Sequence, residues 1–132
     1  MARILIADDS LMSRQIISKI ATDLGHKVVG ESDNGLDTLS KYIELSPDIV
    51  TLDITMPVMD GMDCLKKLIS YDNKVKVLII SAIGKRSMVL EALKTGAKYY
   101  TTKPLDERMV ADAIRITLED DNPPPDPQAF NQ

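Results

Sequence analysis

Short, uninterrupted apolar runs alternate along this chain with longer stretches in which apolar residues return every three or four positions. The runs occupy 3–8, 27–32, 48–53, 76–81 and 98–102. Between the first two, Ile16, Ile17, Ile20, Ala21 and Leu24 recur at helix spacing. The same period returns in Leu36, Leu39, Tyr42 and Ile43, in Met62, Leu65, Leu68 and Ile69, in Val89, Ala92 and Leu93, and in Met109, Val110, Ala113, Ile114 and Leu118. Five strands alternating with five helices are predicted. Gly25 and Gly96 fall where helices should end, and "DNG" at 33–35 and "SP" at 46–47 punctuate other junctions. Strands that are apolar throughout are buried on both faces, which predicts a parallel α/β sheet, doubly wound, with right-handed crossovers.

At 132 residues, 44% of them hydrophobic, the chain fits one domain with a substantial core. The single cysteine, Cys64, makes no internal disulfide, and no stretch approaches the roughly 20 apolar residues that span a bilayer. The opening "MARILIADDS" has neither a secretory apolar region nor the acid-poor character of a transit peptide, so a cytoplasmic setting is expected. With 20 acidic against 16 basic residues and no Lys/Arg run longer than a pair, direct nucleic-acid binding is not expected.

The runs stop at chemically active groups: Asp8 and Asp9, Asp53, Ser81, and Lys103 followed by Pro104. In a parallel sheet all carboxyl ends of strands lie on one edge, where such folds bind ligands, so these residues should converge. Three neighbouring carboxylates repel one another unless a cation sits among them. Oxygen-only ligation without His or Cys points to Mg²⁺, and a Lys and a Ser on the same rim suit a phosphoryl group. The pattern reads as a phosphoryl-transfer site with a carboxylate acceptor.

"DDS" after the first strand, "DITMPVMDG" after the third, "SA" after the fourth and "KP" after the fifth resemble the receiver domain of two-component response regulators over essentially residues 2 to 120. With no output domain following, the likeness is to stand-alone receivers of the chemotaxis, CheY-like type. The resemblance implies a flavodoxin-like sheet of strand order 2-1-3-4-5, an order carried over and not read from the periodicity. It implies that Asp53 accepts the phosphoryl group from a histidine kinase, that Asp9, Asp53 and the Thr55 backbone carbonyl ligate Mg²⁺ directly, and that Asp8 acts through a water. Ser81 and Lys103 would contact the phosphoryl oxygens, and Thr55 and Ile83 would tune hydrolysis of the acyl phosphate. Ser81 and Tyr100 would form the switch, and the Lys103–Pro104 bond would be cis. The output face would be the fourth helix, fifth strand and fifth helix, carrying Lys85, Arg86, Val89, Tyr100, Thr102 and Leu105. A downstream protein such as the flagellar motor switch is the implied target, and the protein is expected to act as a monomer without contacting membranes.

Taken alone, each motif has a structural alternative. Asp9 or Ser10 suits a cap of the first helix and Asp60 a cap of the third, Ser81 suits a turn, and Tyr100 a half-buried strand position. Cys64 and the methionines read as core filling, and His26, after Gly25, as a solvent-facing residue. A haloacid-dehalogenase-type phosphatase would want a second Asp where Thr55 stands, and a flavodoxin would want a phosphate loop where "ADDSLMSRQ" stands. A phosphorelay intermediate passing the group between His residues remains as an alternative. The closing "DNPPPDPQAFNQ", 121–132, is expected to be an extended, poorly ordered tail.

Overall fold

A computed structural model describes residues 1–119 of the chain; the Pro-rich segment 121–132 lies outside them. Strands β1 (Arg3–Ala7), β2 (Lys27–Ser32), β3 (Ile49–Asp53), β4 (Val77–Ser81) and β5 (Tyr99–Thr102) alternate with helices α1 (Leu11–Asp23), α2 (Gly35–Leu45), α3 (Gly61–Tyr71), α4 (Arg86–Thr95) and α5 (Glu107–Leu118). All strand pairs are parallel, and the order is β2-β1-β3-β4-β5.

Successive side chains of a strand point to opposite faces, and here both faces are covered. Ile4, Ile6, Ile49, Leu78 and Ile80 pack with Ile17, Ile20 and Ala21 of α1 and Val110, Ala113 and Ile114 of α5. Leu5, Val50, Leu52, Val77 and Ile79 pack on the other side with Tyr42 of α2, Leu65 and Leu68 of α3 and Leu93 of α4. This double coverage is why β3 and β4 read as solid apolar runs, whereas the edge strands β2 and β5 are only partly buried. The helix starts are set by side chains of Ser10, Asn34, Asp60 and Asp106, each accepting from the amide three residues on. Gly25 turns the chain out of α1 at φ +89°, a conformation that penalises a Cβ.

A helix lying on a sheet buries a narrower stripe than its apolar periodicity spans. Ile16, Leu24, Leu36, Ile43 and Met109 flank the buried stripes and stay exposed. Of the methionines, Met56 and Met62 fill core, but Met1, Met12 and Met109 are exposed. His26 is not simply solvent-facing: it is half-buried, and its Nδ1 accepts a hydrogen bond from the Ala2 amide at 3.0 Å, stitching the start of β1 to the α1–β2 turn. Val89 points inward at 3% exposure, so it supports α4 from beneath and offers no surface to a partner.

Candidate functional site

The adjacency of β1 and β3 (Ala7 opposite Leu52) carries Asp8 and Asp53 to the same rim, and one ligand oxygen from each of Asp8, Asp9 and Asp53 falls within 4.8 Å of the others. Asp8 is fully buried and Asp53 nearly so, while Asp9 is exposed. Lys103, arriving from the end of β5, places Nζ 3.0 Å from Asp8 Oδ2 and 3.5 Å from Asp53 Oδ2. Burial pushes the Asp53 carboxyl up to about 6; the Asp8 charge adds to the rise, and Lys103 and the Thr55 amide act against it. Burial also works against the Lys103 ammonium, but its bond to Asp8 and the charges of Asp53 and Asp8 outweigh that and hold its pKa above the ordinary lysine value.

The remaining bonds show what the site lacks. Asp8 Oδ1 accepts from the Ser10 amide at 2.9 Å, and Asp53 Oδ1 from the Thr55 amide at 3.2 Å. Asp8 Oδ2, though buried and within ion-pair range of Lys103, accepts no hydrogen bond. Three carboxylates against one ammonium leave the rim negative, and a buried carboxylate oxygen that meets Lys103 only as an ion pair, with no hydrogen bond made to it, fits a hard cation. The acidic cluster therefore fits a metal ion with oxygen ligands.

The loop from 54 to 60 shapes the rim. A Cβ on Gly61 would stand only 2.5 Å from Ile54 Cα, so glycine is required for α3 to start directly beneath the end of β3. Asp60 caps α3 by accepting from the Asp63 amide at 2.9 Å and does not join the acidic cluster. Ser10, not Asp9, caps α1.

Ser81 closes β4, buried, with Oγ donating to the Ala82 carbonyl at 3.1 Å. Its own carbonyl accepts from the Lys103 amide at 2.7 Å, and the Lys103–Pro104 bond is cis. Tyr100 is half-buried against the core beneath α4, its ring 5.6 Å from that of Tyr99. Lys85 and Arg86 are exposed at the start of α4, and Thr102 and Leu105 are half-buried around the end of β5. Ile83 is 77% exposed, and Thr55 is exposed at the rim.

The sequence reading missed Arg14. Its guanidinium donates to the Asp8 carbonyl at 2.7 Å and to Glu31 at 3.2 Å, fastening the acid pair to α1 and β2. No spacing rule links a residue inside a helix to a carbonyl six positions earlier, so only the three-dimensional path of the β1–α1 turn reveals it.

A doubly wound parallel sheet that brings three carboxylates, a lysine and a serine to one rim is the architecture of a phospho-accepting signalling module. The profile of the response regulator receiver domain matches residues 4–115, and the chain belongs to that family. It is 44% identical over 112 residues to the chemotaxis protein CheY of Thermotoga maritima, covering 85% of this chain and 93% of that protein. It is likewise 44% identical over 116 residues to CheY of Bacillus subtilis, covering 88% and 97%. Among solved structures, a CheX–CheY–BeF3–Mg²⁺ complex from Borrelia burgdorferi superposes with a TM-score of 0.82 at 38% identity, covering 85% of each chain. Among the described residues no helix is long and apolar enough to cross a membrane.

Proposed function

We propose that Asp53 takes a phosphoryl group from the phosphohistidine of a histidine kinase and that the protein acts in chemotaxis, in the cytoplasm. The observation that carries this reading is the approach of the Asp53 carboxylate, nearly buried, to Lys103 at 3.5 Å beside the Asp8–Asp9 pair. In the transfer an Asp53 oxygen bonds to phosphorus as the N–P bond breaks, and the imidazole leaves with the electron pair and takes up a proton. The transition state is metaphosphate-like, so positioning and charge neutralisation do most of the catalysis. Asp9, Asp53 and the Thr55 carbonyl would hold Mg²⁺, with Asp8 acting through a water, and the ion would supply charge neutralisation at the phosphoryl oxygens. Lys103 and the Ser81 hydroxyl contact the same oxygens. Hydrolysis of the acyl phosphate by water at the same rim limits the signal, with Thr55 and Ile83 flanking the approach.

The signal passes through Ser81 to Tyr100 and out over α4, β5 and α5, where Lys85, Arg86, Tyr100, Thr102 and Leu105 meet a protein target. The likeness to chemotaxis CheY proteins favours a chemotaxis partner, which we read as a flagellar-motor switch or a similar protein. The Borrelia structure, a complex of CheX, CheY, BeF3 and Mg²⁺, supports both the ion and a protein partner. Intact mass after incubation with a small phosphodonor tests the site. One phosphate is gained with Mg²⁺, none with EDTA and none in Asp53→Asn; labelling at another residue, or labelling indifferent to metal, refutes the reading. Pulldown with beryllofluoride-treated against untreated protein then separates a motor target from a phosphorelay partner.

A further inference from the structure

The β2–α2 junction, residues 32–35, contains none of the groups assigned to the phosphoryl site, yet it touches both halves of it. The Ser32 carbonyl accepts from the Asp8 amide at 2.9 Å, while the Gly35 amide donates to the Met59 carbonyl at 2.8 Å. The first bond holds the turn that carries Asp8 and Asp9. The second holds the loop that carries Thr55.

The junction is itself held by internal hydrogen bonds. Ser32, buried, donates through Oγ to the Asn34 carbonyl at 2.8 Å, and the buried Thr38 hydroxyl donates to the same carbonyl at 2.7 Å. The Asn34 side chain caps α2 through the Asp37 amide at 2.8 Å. By contrast, the loop it grips is not relaxed. Val58, β-branched and 79% exposed, stands at φ +69°, an unfavourable left-handed conformation that persists only where neighbours impose it. The bond to Met59 is made one residue past that outlier. Gly35 allows the approach: a Cβ there would overlap the Met59 carbonyl oxygen and stand 2.7 Å from its carbon, and backbone cannot swing aside as a flexible side-chain end can.

We propose that residues 32–35 form a positioning bracket that sets the distance between the Asp8–Asp9 turn and the 54–60 loop, and so tunes cation affinity at the rim. The inference rests on the magnesium reading above. Supports lying outside the ligand shell typically change metal affinity about 10–100-fold when removed. Gly35→Ala should therefore weaken Mg²⁺ binding about tenfold or more, as followed by amide chemical shifts of Asp9 and Asp53 in ¹⁵N-labelled protein.

Gly96→Ala is the control for stability alone. Gly96 (φ +138°) ends α4 on the opposite edge of the sheet, where a Cβ would press on Ile69 Cδ1 at 2.9 Å. It should lower stability while leaving Mg²⁺ affinity within about twofold, because distant sites act independently. Equal Mg²⁺ affinity in Gly35→Ala and wild type overturns the bracket. Should Gly35→Ala not fold, exchange in the wild type decides, because coupling is reciprocal. Mg²⁺ must slow hydrogen exchange of the Gly35 and Asp8 amides beyond any global change, and unchanged protection refutes the coupling. Failure of wild type to bind Mg²⁺ at all overturns the magnesium reading first, and with it the bracket.

Discussion

Ionisation of Asp53 should cost this protein stability, and the size of the cost follows from its surroundings. The carboxyl sits at about 6 instead of the model-compound 3.8, first because it is buried and second because Asp8 is beside it. An acid whose folded-state pKa is raised holds its proton more tightly when folded. The unfolded chain releases that proton near pH 3.8 and the folded chain only near pH 6, so stability declines as pH rises through that window and levels off above it. At 1.36 kcal/mol per tenfold difference in proton affinity, the interval corresponds to about 3 kcal/mol at neutral pH.

Asp53→Asn removes the ionisation while preserving shape. Urea unfolding followed by far-UV circular dichroism, in EDTA, should show wild type and variant nearly equal at about pH 4 and the variant more stable by about 3 kcal/mol above about pH 7. Comparing the two proteins cancels the titrating groups that do not interact with Asp53. Adding Mg²⁺ at about 100 times its dissociation constant should return about 2.7 kcal/mol to the wild type and markedly less to the variant. A difference that does not change with pH, or a variant less stable at neutral pH, would refute the claim that burial and Asp8 outweigh Lys103 at Asp53.

Lys103→Met leaves Asp8 and Asp53 buried without the ammonium that bridges them, and should cost about 3 kcal/mol in urea unfolding in EDTA, partly recovered by Mg²⁺. Val58→Gly trades a left-handed penalty of roughly 1–2 kcal/mol for a glycine cost of roughly 0.5–1, so its melting temperature should rise slightly; a fall would mean that the valine side chain makes a contact worth more than the strain. Cys64 is fully buried and its thiol is pushed up to about 12, by burial and then by Asp60. It should resist an aromatic disulfide reagent in native protein and react at the rate of unfolding as urea is added.

The sequence was most informative where burial is two-sided. Strand ends at Asp53 and Ser81 coincide with the ends of β3 and β4 because those strands are sealed by helices on both faces. Parallel topology puts Asp8, Asp53 and Lys103 on one edge, and the adjacency of β1 and β3, carried over from the family resemblance, brings the two carboxylates together. What stayed hidden depends on which way a helix rolls and on which backbone groups meet. Val89 and Ile16 have similar chemistry and periodicity, yet one is sealed and the other open. The bonds from Arg14 to Asp8 and from Gly35 to Met59 end on main-chain carbonyls, to which side-chain identity gives no clue.

The bonds that Ser81 and Lys103 already make limit what phosphorylation can supply to the proposed switch. Moving an equilibrium from 1:99 to 99:1 takes about 5.5 kcal/mol of differential interaction. Ser81 is already satisfied by the Ala82 carbonyl, so reaching a phosphoryl oxygen exchanges a neutral bond for a charge-assisted one, a gain of about 1 kcal/mol. Lys103 is already bound to Asp8 and Asp53, so its contact with the phosphoryl group is likewise an exchange. Two exchanges of this size fall short of a complete swing. In the switch proposed above, a target docking on α4, β5 and α5 supplies the remainder, and coupling being reciprocal, that target tightens the hold of the rim on the phosphoryl group by the same factor that phosphorylation tightens the hold on the target.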